Sequence, residues 1–232
     1  MEGHAYTAVS LRARGGASGS RWAKPSGALA ICALCLLAGV LVWALAAYVP
    51  AVRVRDAALL GHVSLHNHGA ASWVAGRLIH LLEPVLFILW GVALISLALA
   101  QERPRTALAV VVVMALAPLS AEVLKPLLAH PHLPAGAVRI GPASWPSGHS
   151  TAASALALSA VLVAPSRLRP LVGALALAFA AAVGTALLIR GAHMPSDVIG
   201  GWLTAGFWAS LALAGLRAAD RRRPAAGATA PG

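Results

Sequence analysis

Long apolar runs separated by short polar segments are the dominant pattern of the chain. A helix needs about 20 apolar residues to cross a bilayer, and six blocks reach or approach that length. The pattern therefore predicts an all-α fold, a bundle of six transmembrane helices over residues 28–49, 78–100, 106–124, 149–165, 170–189 and 198–216. Only residues 166–169 separate the fourth and fifth blocks, which predicts an antiparallel hairpin.

The first block resembles a secretory signal peptide at residues 44–46, but its apolar core is longer than such signals have. We therefore interpret it as a retained span. Residues 1–26 and 218–232 are small, polar and basic, which is typical of disordered tails. Residues 27–217 are then predicted to form a single membrane domain.

Composition supports the membrane assignment, because the chain is 59% hydrophobic and only 11% charged. A typical soluble domain is about 25% charged. The net charge of +11 does not indicate nucleic-acid binding, because the basic residues are scattered between apolar blocks. Cys32 and Cys35 lie within one apolar block, which favours packing or lipid-facing thiols over a disulfide framework or a zinc site.

Lysine and arginine counts predict the orientation in a cell (inner or plasma) membrane. With the N-terminus in the cytoplasm, twelve basic residues fall on the cytoplasmic side: Arg12, Arg14, Arg21, Lys24, Arg103, Arg105, Arg167, Arg169, Arg217, Arg221, Arg222 and Arg223. Six fall on the other side: Arg53, Arg55, Arg77, Lys125, Arg139 and Arg190. Both termini are thus predicted to be cytoplasmic. The end of the third span and the starts of the fourth and sixth spans then meet on the extracytoplasmic side, which predicts a site there.

Two of these segments carry histidines beside helix starts. His193 and Asp197 are four residues apart, so one helical turn brings the carboxylate to the ring and can leave the second ring nitrogen available as a nucleophile or base. Ser147 can cap the fourth span and Gly148 lets its N–H groups approach an anion, with His149 beside them as a proton donor. A polar surface turn and a simple turn with a cap are the alternative interpretations.

Lys125 ends the third span, where a lysine often extends to the lipid headgroups. Glu122 lies one turn earlier and can instead hold the ammonium in position, where it suits a phosphate.

Lys125, Pro146-Ser147-Gly148-His149 and His193-x3-Asp197, in this order over six spans, resemble the type-2 phosphatidic acid phosphatase superfamily. The resemblance is to its membrane branch, which includes bacterial phosphatidic acid and undecaprenyl-pyrophosphate phosphatases. It implies that His193 attacks phosphorus, Asp197 orients His193, and His149 protonates the leaving group. The same resemblance implies a lipid phosphate substrate, no cofactor and no metal, with Lys125, Ser147 and Gly148 holding the phosphate oxygens.

Both customary arginines of that superfamily are absent from their places. The Lys-x6-Arg-Pro signature here ends in His132-Leu133, although His130-Pro131 can stand in with a shortened gap, and Ala186 and Leu187 occupy the Ser-Arg of the third signature. We expect Arg190, Arg139, His130 or His132 to supply the missing phosphate contacts.

Three hypotheses remain at this stage. The first is an integral membrane phosphatase acting on lipid phosphates or diphosphates. The second is a phosphotransferase with the same phosphohistidine intermediate, and the third is a non-catalytic membrane protein that kept the fold. The presence of all of Lys125, His149, His193 and Asp197 argues against the third. A metal site in the histidine-rich segment 61–69 is disfavoured, because His66 and His68 do not share a helical face.

Overall fold

The computed structural model describes residues 25–66 and 69–221, and these form eight helices. The elements are α1 Pro25–Tyr48, α2 Pro50–His66, α3 Ala70–His80, α4 Pro84–Ala100, α5 Pro104–Leu127, α6 Gly148–Val163, α7 Arg169–Ile189 and α8 Pro195–Arg221. The all-helical prediction is confirmed. Most of both predicted tails and His68 lie outside the described residues, whereas α1 and α8 extend slightly beyond the predicted domain limits.

Four of these helices, α1, α5, α7 and α8, are long and apolar enough to cross a membrane by themselves. The helices α3 and α4 together form a fifth apolar segment that is bent by 56°. The apolar helix α6 has 16 residues and is shorter than the others. The protein is therefore a multi-pass membrane protein, and six is an approximate count of its spans.

The segment between α1 and α4 differs from its prediction. Residues 50–66 and 70–80, most of which connect the first two predicted spans, form the helices α2 and α3. The predicted second span, 78–100, is also interrupted after His80, and α4 begins at Pro84. Proline is favoured in the first turn of a helix and unfavourable within one, which accounts for the new start.

The helix α6 lies at the centre of the bundle, where it packs against α4, α5, α7 and α8. Its inward side is built from small residues, and Ala153, Ala155 and Ser150 are completely buried. Small side chains let helix backbones approach closely, which is how helices associate in a membrane. Large side chains on α1, such as Leu34 and Leu37, are 65% and 68% exposed, as lipid-facing residues are.

The helices α6 and α8 approach each other closely at Gly201. A Cβ atom added to Gly201 would lie 2.8 Å from the Ser147 carbonyl oxygen and 2.9 Å from the Thr151 nitrogen. Backbone atoms cannot move aside as a flexible side chain can, so this position requires glycine. The starts of α6 and α8 are consequently held together.

We predict that Gly201→Ala destabilises the protein by about 1–3 kcal/mol, because the added methyl group forces the two helices apart. The matched control is Gly215→Ala on the same helix, where an added Cβ meets nothing within 4 Å. The control is expected to be neutral or slightly stabilising, since alanine is the better helix former. Thermal unfolding in detergent measures both, and equal midpoints for the two variants would contradict the packing argument.

Candidate active site

The start of α8 carries a buried imidazole–carboxylate pair. Asp197 is completely buried, and its Oδ2 accepts from the Met194 backbone N–H at 3.0 Å and lies 3.3 Å from Nδ1 of His193. The predicted contact between His193 and Asp197 is therefore present. Because the carboxylate faces Nδ1, Nε2 is the ring nitrogen of His193 that is left for chemistry.

The start of α6 is attached to this pair through its N-cap. Ser147 caps α6, and its Oγ accepts from the Ser150 N–H at 3.3 Å, as the sequence predicted. The Ser147 N–H donates to the Asp197 backbone carbonyl at 3.0 Å. This bond joins residues that are far apart in sequence, and it places the free N–H groups of the α6 start beside the His193–Asp197 pair.

The end of α5 completes the arrangement. Nζ of Lys125 donates to Oε1 of Glu122 at 2.6 Å, which is the pairing expected from their spacing. A Cβ atom added to Gly148 would lie 2.7 Å from Oε1 of Glu122 and 3.3 Å from Nζ of Lys125. The ammonium thus lies directly against the first residue of α6.

Electrostatic contacts connect His149 with the other predicted residues. The half-buried ring of His149 lies within electrostatic range of His193, Lys125, Glu122 and Glu83. Glu83 in turn pairs with His80 at 2.7 Å. The structure therefore brings two imidazoles, an ammonium and a helix start to one end of the bundle.

The loop between α5 and α6 adds His132 to the edge of this cluster. Its Nε2 lies 2.8 Å from Oγ of Ser144, and the ring lies 4.6 Å from that of His130. Burial lowers the pKa of His132, while the nearby Asp197 opposes that shift. His132 therefore tends to be neutral at neutral pH, which makes it a hydrogen-bonding group and not a fixed cation there.

Arg190 and Arg139 are both exposed. A guanidinium nitrogen of Arg190, Nη1, donates to Oγ of Ser72 on α3 at 3.0 Å. Its guanidinium is therefore engaged with α3 in this conformation. Phosphate binding by either arginine stays a prediction.

Sequence reasoning missed the contribution of α2. Asp56 accepts from the backbone N–H of Ser196 at 3.1 Å and also from its hydroxyl group, immediately before Asp197. Arg53, one turn earlier, donates to the Pro131 carbonyl at 3.0 Å and so connects α2 to the loop that holds His132. Burial raises the pKa of Asp56, and the two bonds from Ser196 oppose that shift. Arg53, Arg55 and Asp56 follow shortly after the first apolar block, and these charges were the signal in the sequence that α2 contributes polar contacts.

Within residues 25–66 and 69–221, no group of three His, Cys, Asp or Glu side chains is arranged to hold a metal ion. Cys32 and Cys35 are free thiols. His68, on which the disfavoured metal site of segment 61–69 depended, lies outside the part of the chain that is described.

Together the fold and these contacts define a class: a polytopic helical membrane protein with a histidine–aspartate pair, a second histidine and an ammonium at one end of its bundle. The sequence profile of the PAP2 superfamily matches residues 106–221, which include all four groups. The chain belongs to the PAP2 superfamily, and the resemblance inferred from its motifs is confirmed.

A solved structure shares the fold. It is described as the first transmembrane PAP2 type phosphatidylglycerolphosphate phosphatase, from Bacillus subtilis. The two chains superpose with a TM-score of 0.67 at 22% sequence identity, over 82% of this chain and 98% of the other. No curated protein matches the sequence significantly.

We predict that Gly148→Ala weakens the binding of inorganic phosphate about tenfold or more, because the added Cβ would lie 3.3 Å from Nζ of Lys125 and crowd the ammonium that is expected to hold the phosphate. Glu122 is the end of a flexible side chain, so the fold and the unfolding midpoint are expected to be retained. The control is Gly141→Ala in the α5–α6 loop, where an added Cβ meets nothing within 4 Å. Phosphate titration followed by thermal shift measures both, and equal affinity in the two variants would contradict this geometry.

Proposed function

We propose that the protein is an integral membrane phosphatase that hydrolyses phosphate monoesters or diphosphates of lipids. The observation that carries the proposal is the bond from Ser147 N–H to the Asp197 carbonyl, because it joins the His193–Asp197 pair to the α6 start. Membership of the PAP2 superfamily supports a phosphatase. The substrate class is phosphatidic acid, phosphatidylglycerol phosphate or undecaprenyl pyrophosphate, and the fold neighbour is described as acting on the second of these.

In the first step, Nε2 of His193 attacks phosphorus and a P–N bond forms as the bond to the leaving oxygen breaks. Asp197 holds the Nδ1–H and stabilises the positive charge that develops on the ring. His149, protonated before the step, gives its proton to the leaving oxygen. The products are the dephosphorylated lipid, or a lipid monophosphate from a diphosphate, and a phosphohistidine.

In the second step, water attacks the phosphohistidine and the P–N bond breaks. His149 is now neutral and accepts the proton of the attacking water, so it returns to its starting state. Inorganic phosphate leaves and His193 is regenerated. The scheme uses no metal, because Lys125 and the N–H groups at the α6 start supply the positive charge. One such fixed donor is typically worth about 3–4 kcal/mol of barrier.

The negative phosphate also has to replace Glu122 at the ammonium of Lys125. The Glu122 side chain is 60% exposed, whereas that of Lys125 is 23% exposed. The carboxylate can therefore rotate into water while the ammonium stays in place. His132 lies within electrostatic range of His193 and supplies a further contact at the edge of the cluster.

An apolar groove supports a lipid substrate. It has a volume of about 450 Å³, lies between α4, α6 and α7, and is bordered by Leu81, Trp90, Leu156, Ala160 and Phe179. Leu81 is close in sequence to Glu83, which interacts with His149. Ala160 lies 11 residues beyond His149, which is about 16 Å along α6 and about half of a bilayer core of roughly 30 Å. That depth suits an acyl or prenyl tail whose phosphate occupies the site.

The charge distribution supports an extracytoplasmic site in a cell membrane. The end of α5 and the starts of α6 and α8 lie at one end of the bundle, and the arginine-rich α4–α5 and α6–α7 turns lie at the other. Basic connections favour the cytoplasm. Both termini are then cytoplasmic.

The central test is phosphate release by purified protein from each of the three substrates, with a metal chelator present. We predict that His193→Ala lowers the rate by about 1,000-fold or more, because a nucleophile is removed. Asp197→Asn is expected to lower the rate of phosphate release substantially, because it removes the carboxylate charge that orients the His193 ring and stabilises its positive charge. His62→Ala, an exposed histidine on α2, is the control.

Equal rates for wild type and His193→Ala would exclude this function. Radiolabelled phosphate that stays on His193 in acid-labile form supports the intermediate. Transfer to an added alcohol in preference to water would identify a phosphotransferase instead.

We also predict that Ala160→Phe selectively slows the hydrolysis of long-chain substrates, because the larger ring occupies the groove. Short-chain, water-soluble analogues are expected to react at nearly the wild-type rate. Ala178→Phe places the same ring on an exposed position of α7 outside the groove. Rates measured over a series of chain lengths test this, and a uniform loss for all chain lengths would contradict tail binding in the groove.

A further inference from the structure

A cavity lined by six charged side chains lies at the opposite end of the bundle from His193. It has a volume of about 490 Å³ and lies between the starts of α5 and α7 and the ends of α6 and α8. Its charged lining consists of Glu102, Arg103, Arg105, Arg169, Arg217 and Asp220. The length of α6, about 24 Å for its 16 residues, separates it from the catalytic cluster.

Two of the arginines are fixed by the end of α6. Arg103 donates to the Val163 carbonyl at 2.9 Å and to the Leu162 carbonyl at 3.1 Å. Arg169 donates through Nε to the Ala164 carbonyl at 3.2 Å. These bonds satisfy carbonyls that the helix end leaves open, and they hold both guanidinium groups at the wall of the cavity.

The cavity has an excess of positive charge. Four guanidinium groups face two carboxylates, and the contact between Arg105 and Asp220 is long, at 3.8 Å, with both side chains largely exposed. The helix dipoles largely offset one another, because α5 and α7 begin here while α6 and α8 end here. The excess of guanidinium groups is therefore the feature that favours an anion.

We propose that this cavity binds a phosphate-bearing anion, at a site separate from the catalytic one. Guanidinium groups bind phosphate oxygens with two parallel hydrogen bonds, and several around one cavity suit a dianion or a phosphodiester better than a carboxylate. The same chemistry is offered by the headgroup of an anionic phospholipid and by free phosphate. The proposal does not depend on the phosphatase activity.

The test uses the full chain with His193→Ala, so that no substrate is turned over. In one arm, inorganic phosphate is titrated into detergent-solubilised protein. In the other arm, nanodiscs of phosphatidylcholine are compared with nanodiscs that also contain phosphatidylglycerol. The unfolding midpoint is measured in both, and anion binding to the folded protein raises it.

The informative variant is Arg105→Gln with Arg169→Gln. It leaves Arg103 in place, because that side chain donates to two carbonyls at the end of α6. We expect a clearly smaller midpoint increase than in the parent chain in at least one arm, with the apparent Kd of this cavity weakened about tenfold or more. The control pair is Arg167→Gln with Arg221→Gln, two exposed arginines from the same end that do not line the cavity. It is expected to keep the increase.

A loss confined to the nanodisc arm identifies a lipid headgroup, and a loss confined to the phosphate arm identifies a free phosphate. Asp220→Asn removes a competing carboxylate and is expected to strengthen binding, which keeps the test decisive if the double variant folds poorly. Phosphate bound at the catalytic site raises the unfolding midpoint equally in all of these variants, so only differences between variants report on the cavity. The proposal is overturned if neither arm shows an increase, or if the double variant retains the full increase in both arms and Asp220→Asn changes nothing.

Discussion

The close approach of α6 and α8 is the constraint on which the site depends. Gly201 lets the backbone of α8 lie against Ser147 and Thr151, and the Ser147 N–H then reaches the Asp197 carbonyl. Without this contact, the histidine–aspartate pair on one helix and the capped start of the other would be separate surface features. The alanine-rich centre of the bundle serves the same purpose, since its small side chains leave the backbones close together.

Short-range geometry explains why much of the site could be predicted from the sequence. The pairs His193–Asp197 and Glu122–Lys125 lie one helical turn apart, and a regular helix fixes such distances. Ser147 precedes a long apolar run, which is the ordinary position of a cap. In each case the predicted contact follows from the residue types and their spacing alone.

The contributions of α2 and α3 could not be predicted in the same way. Residues 50–77 mix polar and apolar positions without a long hydrophobic run, so the sequence predicted only a connection between the first two spans there. The bonds from Ser196 to Asp56 join residues 140 positions apart, and no local periodicity encodes such a contact. Likewise, the break before Pro84 lies in a stretch whose hydropathy alone indicates a continuous span.

The shortness of α6 has a consequence for the membrane around the protein. A helix of about 24 Å is shorter than a hydrocarbon layer of roughly 30 Å, so at least one end of α6 lies within that layer. Uncovered polar backbone is not tolerated at that depth. Neighbouring segments of the chain therefore have to shield whichever end of α6 lies below the lipid headgroups.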